Sequence, residues 1–129
     1  MIEIFIPGKP PTATAQQKGR TRSGVWYKPA KLKAAEDWYM WGLTGKTPPA
    51  PLSGPIVLRV DFIFQASREH KAGTPKITRP DTDNMVKLLK DCLTHAGFWE
   101  DDAQVFDETI IKYYDHEPGV RIFIRRLGE

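Results

Sequence analysis

The chain has a single cysteine, Cys92, so no internal disulfide is available and stability must come from packing. A lone thiol also fits a reducing compartment. No apolar run approaches the roughly 18 residues of a membrane span, so no membrane-spanning helix is expected. Met1 leads into alternating apolar residues rather than a signal-peptide pattern, and a cytoplasmic location is expected. The three histidines, His70, His95 and His116, are far apart and lack zinc-like spacing. A glycine-rich phosphate loop is also missing. Gly45-Lys46-Thr47 echoes the end of that pattern, but Met40 stands where its first glycine is required. Neither internal repeats nor low-complexity tracts occur.

What is present is ordinary globular material, unevenly charged. With 129 residues, 40% hydrophobic and 27% charged, the chain can bury one real core, and a single domain over 1–129 is expected. The net charge is only +3, yet residues 81–117 carry ten acids and three bases, which leaves +10 on the rest. Between Glu3 and Glu36 there are seven bases and no acid. An acidic centre in a basic body can hold cations locally while attracting phosphates broadly.

Periodicity predicts the elements. Ile2, Ile4 and Ile6 alternate into a strand that Pro7-Gly8 ends. Residues 8–28 show no periodicity and read as a long loop, with Trp26 and Tyr27 either stacking surfaces or anchors to the core. A helix follows from Pro29 to about Leu43, with Leu32, Ala35, Trp38 or Tyr39, and Gly42 at helical spacing. Its aromatics Trp38, Tyr39 and Trp41 are either core or a subunit contact. Ile56, Leu58, Val60, Phe62 and Phe64 form the wholly apolar face of a strand. A second helix is expected from Thr82 to His95, with Met85, Leu88, Leu89, Cys92 and Ala96 on one stripe and Gly97 ending it. Val105–Tyr114 and Gly119–Leu127 read as two strands joined in a hairpin through Asp115-His116-Glu117-Pro118-Gly119. Together these predict an α/β domain, a mixed sheet of about four strands with two helices packed on it.

The chemistry concentrates between Arg79 and Val105. Asp81 and Asp83 lie two residues apart, followed by Asn84, Lys87 and Asp91; beyond the helix come Trp99, Glu100, Asp101, Asp102 and Gln104. Hard cations need oxygen ligands around one point, and Mg²⁺ is usually held by one or two carboxylates plus water and phosphate. A helix flanked by carboxylates could fold back to supply such a site, with Lys87 offsetting phosphate charge. Each residue also has a plainer role open to it. Asp81 could cap the helix, Lys87 could pair with Asp91 four residues on, and the acidic turn could simply be solvated. Capping, however, explains neither Asp83 nor the second acidic cluster.

Asp81, Asp83, Asn84, Lys87 and Asp91, followed by Trp99, Asp101, Asp102 and Gln104, resemble the signature of the RusA family of Holliday-junction resolvases. The opening strand with Pro7-Gly8-Lys9-Pro10-Pro11 is similar to that family's opening. The resemblance implies an endodeoxyribonuclease that resolves four-way junctions in recombination and repair, working as a homodimer on branched DNA. It implies Asp81, Asp83 and Asp102 as ligands of Mg²⁺, with Mn²⁺ a possible substitute, and Lys87 as the catalytic cation. Neighbours on an extended chain face opposite ways, so only one of Asp101 and Asp102 can face the site; with the resemblance, Asp102 is taken as the ligand and Asp101 is left as an outer partner. Lys9, Lys18, Arg20, Arg22 and Lys28 in one basic loop, and Arg68, Lys71, Lys76 and Arg79 in another, are the candidate DNA contacts. The family occurs in bacteria and their phages, so a prophage source is plausible. Two alternatives from other classes are a protein that holds branched DNA without cutting it, and a metal-dependent hydrolase of small nucleotides.

Overall fold

The computed structural model describes residues 1–13, 19–20, 24 and 26–129, with only the backbone described at 19, 20, 26 and 27. Among these residues the regular elements are, in order, β1 (Ile2–Pro7), β2 (Gly19–Arg20), β3 (Trp26–Tyr27), α1 (Ala30–Leu43), β4 (Ile56–Gln65), α2 (Thr82–His95), β5 (Val105–Asp115) and β6 (Gly119–Arg126). Four strands form one mixed sheet in the order β1-β6-β4-β5, and both helices pack on it. The expected α/β architecture is what the chain adopts. Among the described residues, no helix is long and apolar enough to cross a membrane.

The core follows from period two meeting period 3.6. Ile4 and Ile6 of β1, the even-numbered residues of β4 from Ile56 to Phe64, and Val120, Ile122 and Ile124 of β6 all point to the helix side and are buried. Leu32, Ala35, Tyr39 and Leu43 of α1 cover one part of that face, while Met85, Leu88, Leu89, Cys92 and Leu93 of α2 cover another. Tyr39 is thus internal, and only Trp41 among the helix aromatics projects, at 70% exposure. Burial pushes the Cys92 thiol up to about 12, consistent with a core residue rather than a reactive one. On the opposite face the buried Asp61 carboxylate is held by Arg59 (3.0 and 3.3 Å) and by the Tyr113 hydroxyl (3.2 Å).

Two expectations need correction. β5 and β6 are not a hairpin, because β4 lies between them. β4 pairs with β5 in parallel and with β6 antiparallel, and residues 116–118 cross over the end of β4. Ala66 N donates to Asp115 O at 2.8 Å, and Gly8 N donates to Pro118 O at 3.0 Å, fastening that crossing. The reason is topological: a strand, a covering helix and a second strand favour parallel pairing, and alternation specifies a strand without specifying its neighbours. The long loop of 8–28 also contains an antiparallel ladder, Gly19↔Tyr27 and Arg20↔Trp26, too short to leave any periodic trace in sequence.

Gly119 begins β6 where there is no room for a side chain. A Cβ there would meet Ile6 O and the Phe5 ring at 2.5 Å. Ile6 O belongs to the β1 backbone and cannot swing aside. Gly119→Ala is therefore expected to cost about 1–3 kcal/mol, the usual scale of overpacking. Urea unfolding of the variant measures it, and an unchanged midpoint would show that the sheet yields more easily than this packing implies.

Candidate active site

The first half of the site is built where β4 gives way to α2. Residues 73–76 lie back along the outer edge of β5, through Gly73 N to Tyr114 O (2.7 Å), Tyr114 N to Thr74 O (3.0 Å) and Lys76 N to Lys112 O (3.1 Å). Lys112 then reaches across with its ammonium to donate to Thr78 O and Pro80 O, each at 2.7 Å. This segment delivers the chain to Asp81 at the N-cap of α2, with extended backbone (φ −74°, ψ 146°). Its carboxylate makes no capping bond. Asp83 sits in the first turn and Lys87 one turn later, and all three are exposed. Lys87 does not pair with Asp91. Neither Asp81, Asp83, Lys87 nor Asp102 has a side-chain hydrogen bond or ion pair with any described residue. The plainer roles of cap and helix-surface ion pair are thus not the ones these residues play. Lys87 and Asp91 instead line a groove of about 550 Å³ between α1 and α2, together with Lys28, Glu36 and His95.

The second half lies beyond the other end of α2. Trp99 is buried and donates its indole N–H to Thr94 Oγ1 at 2.6 Å, so the chain after Gly97 is anchored to the helix it has just left. Asp101 caps a single 3-10 turn over Asp102–Gln104, its carboxylate accepting from Ala103 N at 2.9 Å. Gln104 closes the box: its Oε1 accepts from Glu100 N and Asp101 N at 3.0 Å. Its amide nitrogen donates to Leu52 O (2.9 Å) and Gly54 O (3.0 Å), tying the turn to the segment that leads into β4. Asp101 is therefore occupied in shaping the turn, and Asp102 is the carboxylate left open. Sequence reasoning assigned no role to Gln104, although an acid three residues before a Gln is the mark of a capping box.

These halves do not meet within one chain. α2 runs back alongside β5, as the Lys112–Pro80 contact at one level and the Lys90–Glu108 ion pair (2.9 Å) further on show. Asp81 and Asp83 are at the start of this 14-residue helix and Asp102 is past its end. At 1.5 Å per residue the helix between them is about 21 Å long. Among the described residues, no three His, Cys, Asp or Glu groups lie together so as to hold an ion. The expectation that the helix folds back to bring both clusters to one point is corrected: a continuous helix is a rigid spacer.

The candidate DNA-contacting cations divide into three sets. Lys9, Arg68, Lys71 and Arg79 are exposed. Lys28 is bound to Glu36 at 2.9 Å, and that hydrogen bond holds its ammonium above the usual range. Lys76 bonds Thr78 Oγ1 at 2.6 Å with its Nζ 4.9 Å from the centre of the Phe64 ring, so it steadies its own loop. Lys18 and Arg22 lie outside the described residues, as do the side chains of Arg20, Trp26 and Tyr27. Lys112 was not anticipated as a positioning residue. Its signal is a charge on the helix-side stripe of β5, level with Phe62 and between Ile110 and Tyr114.

Comparison with known proteins bears on what such an arrangement does. The family model described as endodeoxyribonuclease RusA matches residues 7–125. The uncharacterized protein YqaN of Bacillus subtilis (strain 168) is 30% identical over 140 aligned positions, covering 98% of this chain and 97% of that protein. The crossover junction endodeoxyribonuclease RusA of Escherichia coli (strain K12) is 53% identical over 38 residues. That match spans 30% of this chain and 32% of the enzyme, and the protein of the same name from Enterobacteria phage 82 matches to the same extent.

Proposed function

The chain belongs to the RusA family of endodeoxyribonucleases, and from that premise we propose that it is a Mg²⁺-dependent resolvase that cuts four-way DNA junctions as a homodimer. The observation that carries the reading is that Asp81, Asp83, Lys87 and Asp102 have no partner among the described residues, while their neighbour Asp101 does. Their donor chemistry fits a hard cation, since every ligand offered is a carboxylate oxygen. Mn²⁺ would be accepted by the same atoms. When bound, the ion supplies a nucleophilic water at neutral pH and offsets charge on the phosphate.

The length of the helix between the two acidic clusters, about 21 Å at 1.5 Å per residue, favours a site shared by two subunits, in which Asp81 and Asp83 are joined by Asp102 of the partner subunit. The outer edge of β5 offers a means. Residues 73–76 cover that edge at 112–114, while 105–111 have no described strand beyond them. Antiparallel pairing of this stretch with its copy, about an axis near residue 108, would set residue 102 opposite residue 114. Lys112, which holds Pro80, lies two residues from that level. Lys90, bonded to Glu108, offsets part of the acidic charge near such an axis. Two identical sites related by a two-fold suit a substrate whose opposed strands are both to be cut.

The chain's own residues have distinct tasks in this mechanism. Exposed cations at Lys9, Arg68, Lys71 and Arg79 hold phosphates and set the register of the DNA. Lys87 puts a positive charge one helical turn from Asp83, where it offsets charge building on the scissile phosphate or the departing oxygen. A synthetic four-way junction incubated with Mg²⁺ should yield paired nicks in opposed strands, and in EDTA it should be bound but uncut. Binding without cutting in either Mg²⁺ or Mn²⁺ would leave a branched-DNA-binding protein instead. Lys87→Ala should slow single-turnover cleavage by about 10²–10³, the scale for losing one charge-stabilising donor. Because Lys87 forms no ion pair with a described residue, the melting temperature should stay put, and a large drop would return the residue to a structural role.

A further inference from the structure

Ile77 is 92% exposed, the most exposed of the large hydrophobic side chains among the described residues. A single exposed isoleucine is ordinary on a protein surface, but the backbone around this one is held. On one side Lys76 N bonds Lys112 O (3.1 Å), and on the other Thr78 O accepts from the Lys112 ammonium (2.7 Å). Lys76 Nζ meets Thr78 Oγ1 at 2.6 Å, bridging the two flanking residues across the base of Ile77. The apolar side chain therefore projects from a fixed loop. The 66–80 segment that carries it is cationic on balance, with Arg68, Lys71, Lys76 and Arg79 against Glu69. Phosphates attracted there find no partner in Ile77, whereas stacked bases do: apolar wedges, isoleucine among them, enter base steps and part them. Asp81 is four positions along the chain from Ile77, a reach of at most about 14 Å, or about four nucleotide steps along one strand.

We propose that Ile77 is a wedge that inserts between bases beside the cut site, parting the stack at the branch point so that the scissile phosphate can reach Asp81 and Asp83. This rests on the junction-cleaving reading above and adds to it a residue that selects opened or openable steps.

The test uses full-length protein and a four-way junction carrying 2-aminopurine next to the point of strand exchange, bound in EDTA so that unstacking is read without cutting. Wild type should raise the fluorescence severalfold. Ile77→Ala should lose most of that rise while its junction affinity stays within about threefold, since the phosphate-gripping cations are untouched. In Mg²⁺, Ile77→Ala should cut the paired junction roughly tenfold or more slowly, and recover on a junction whose bases at the exchange point are mismatched. Ile77→Phe, still an apolar wedge, should keep the signal. Equal fluorescence and equal rates for wild type and Ile77→Ala would overturn the proposal, as would a change in sedimenting mass, which would assign Ile77 to a subunit contact. If wild type neither binds nor cuts any junction, the functional reading has failed; if wild type cuts and Ile77→Ala is indistinguishable, only the wedge has.

Discussion

Asparagine in place of Asp81, Asp83 or Asp102 is expected to leave junction binding intact and to remove cleavage, by roughly 10³-fold or more. The substitution keeps shape and one oxygen but removes the charge that a hard cation requires. Folding should be unaffected in each case, because none of the three carboxylates bonds to another described residue. Binding should hold or tighten slightly, since phosphates lose a repelling charge while the gripping cations remain. Asp101→Asn is the informative neighbour. Its carboxylate accepts from Ala103 N at 2.9 Å, and an asparagine oxygen can do the same, so cleavage should survive far better than in Asp102→Asn. Rates on a labelled junction, with melting temperatures alongside, decide it. An Asp102→Asn enzyme within a fewfold of wild type would remove that residue from the ligand set.

The elements with one buried face are legible in the order of residues alone. The long strand at 56–65 and the helix at 82–95 announce themselves because burial of that face imposes a period on each. Pairing partners are another matter. The Pro118-Gly119 turn has the composition of a hairpin, yet it spans the end of β4, because pairing is decided by the covering helix α2 and not by the turn. Of the two adjacent acids, alternation says only that one can face a given site, and the capping box of Asp101 and Gln104 is what occupies Asp101. Lys76 and Lys28 count as DNA-facing cations by composition alone, which does not foresee the hydrogen bond each makes, to Thr78 and to Glu36. The distance between the acidic clusters is legible too, and easily passed over: fourteen residues of uninterrupted helix cannot bring their ends together.

That spacing makes a prediction of its own. If each site takes Asp83 from one subunit and Asp102 from the other, two inactive enzymes should rescue one another. In a heterodimer of Asp83→Asn and Asp102→Asn, one site combines both defects and is dead. The other combines the intact Asp83 of one chain with the intact Asp102 of the other and is whole. Mixing the two variants under conditions that allow subunits to exchange should therefore restore cutting, to about a quarter of the wild-type density of sites if pairing is random. Only one site per heterodimer is active, so its products should be junctions nicked on a single strand rather than resolved duplexes. A site drawn wholly from one chain behaves differently, because no subunit in the mixture is intact and no amount of exchange can create one. Mixing Asp81→Asn with Asp83→Asn is the control. Both defects then fall on the same half of the site, each composite site lacks one of the two, and activity should stay at background. Recovery in the first mixture and silence in the second would locate Asp102 across the subunit boundary; silence in both, with exchange verified by sedimentation of differently sized tags, would rule the shared site out.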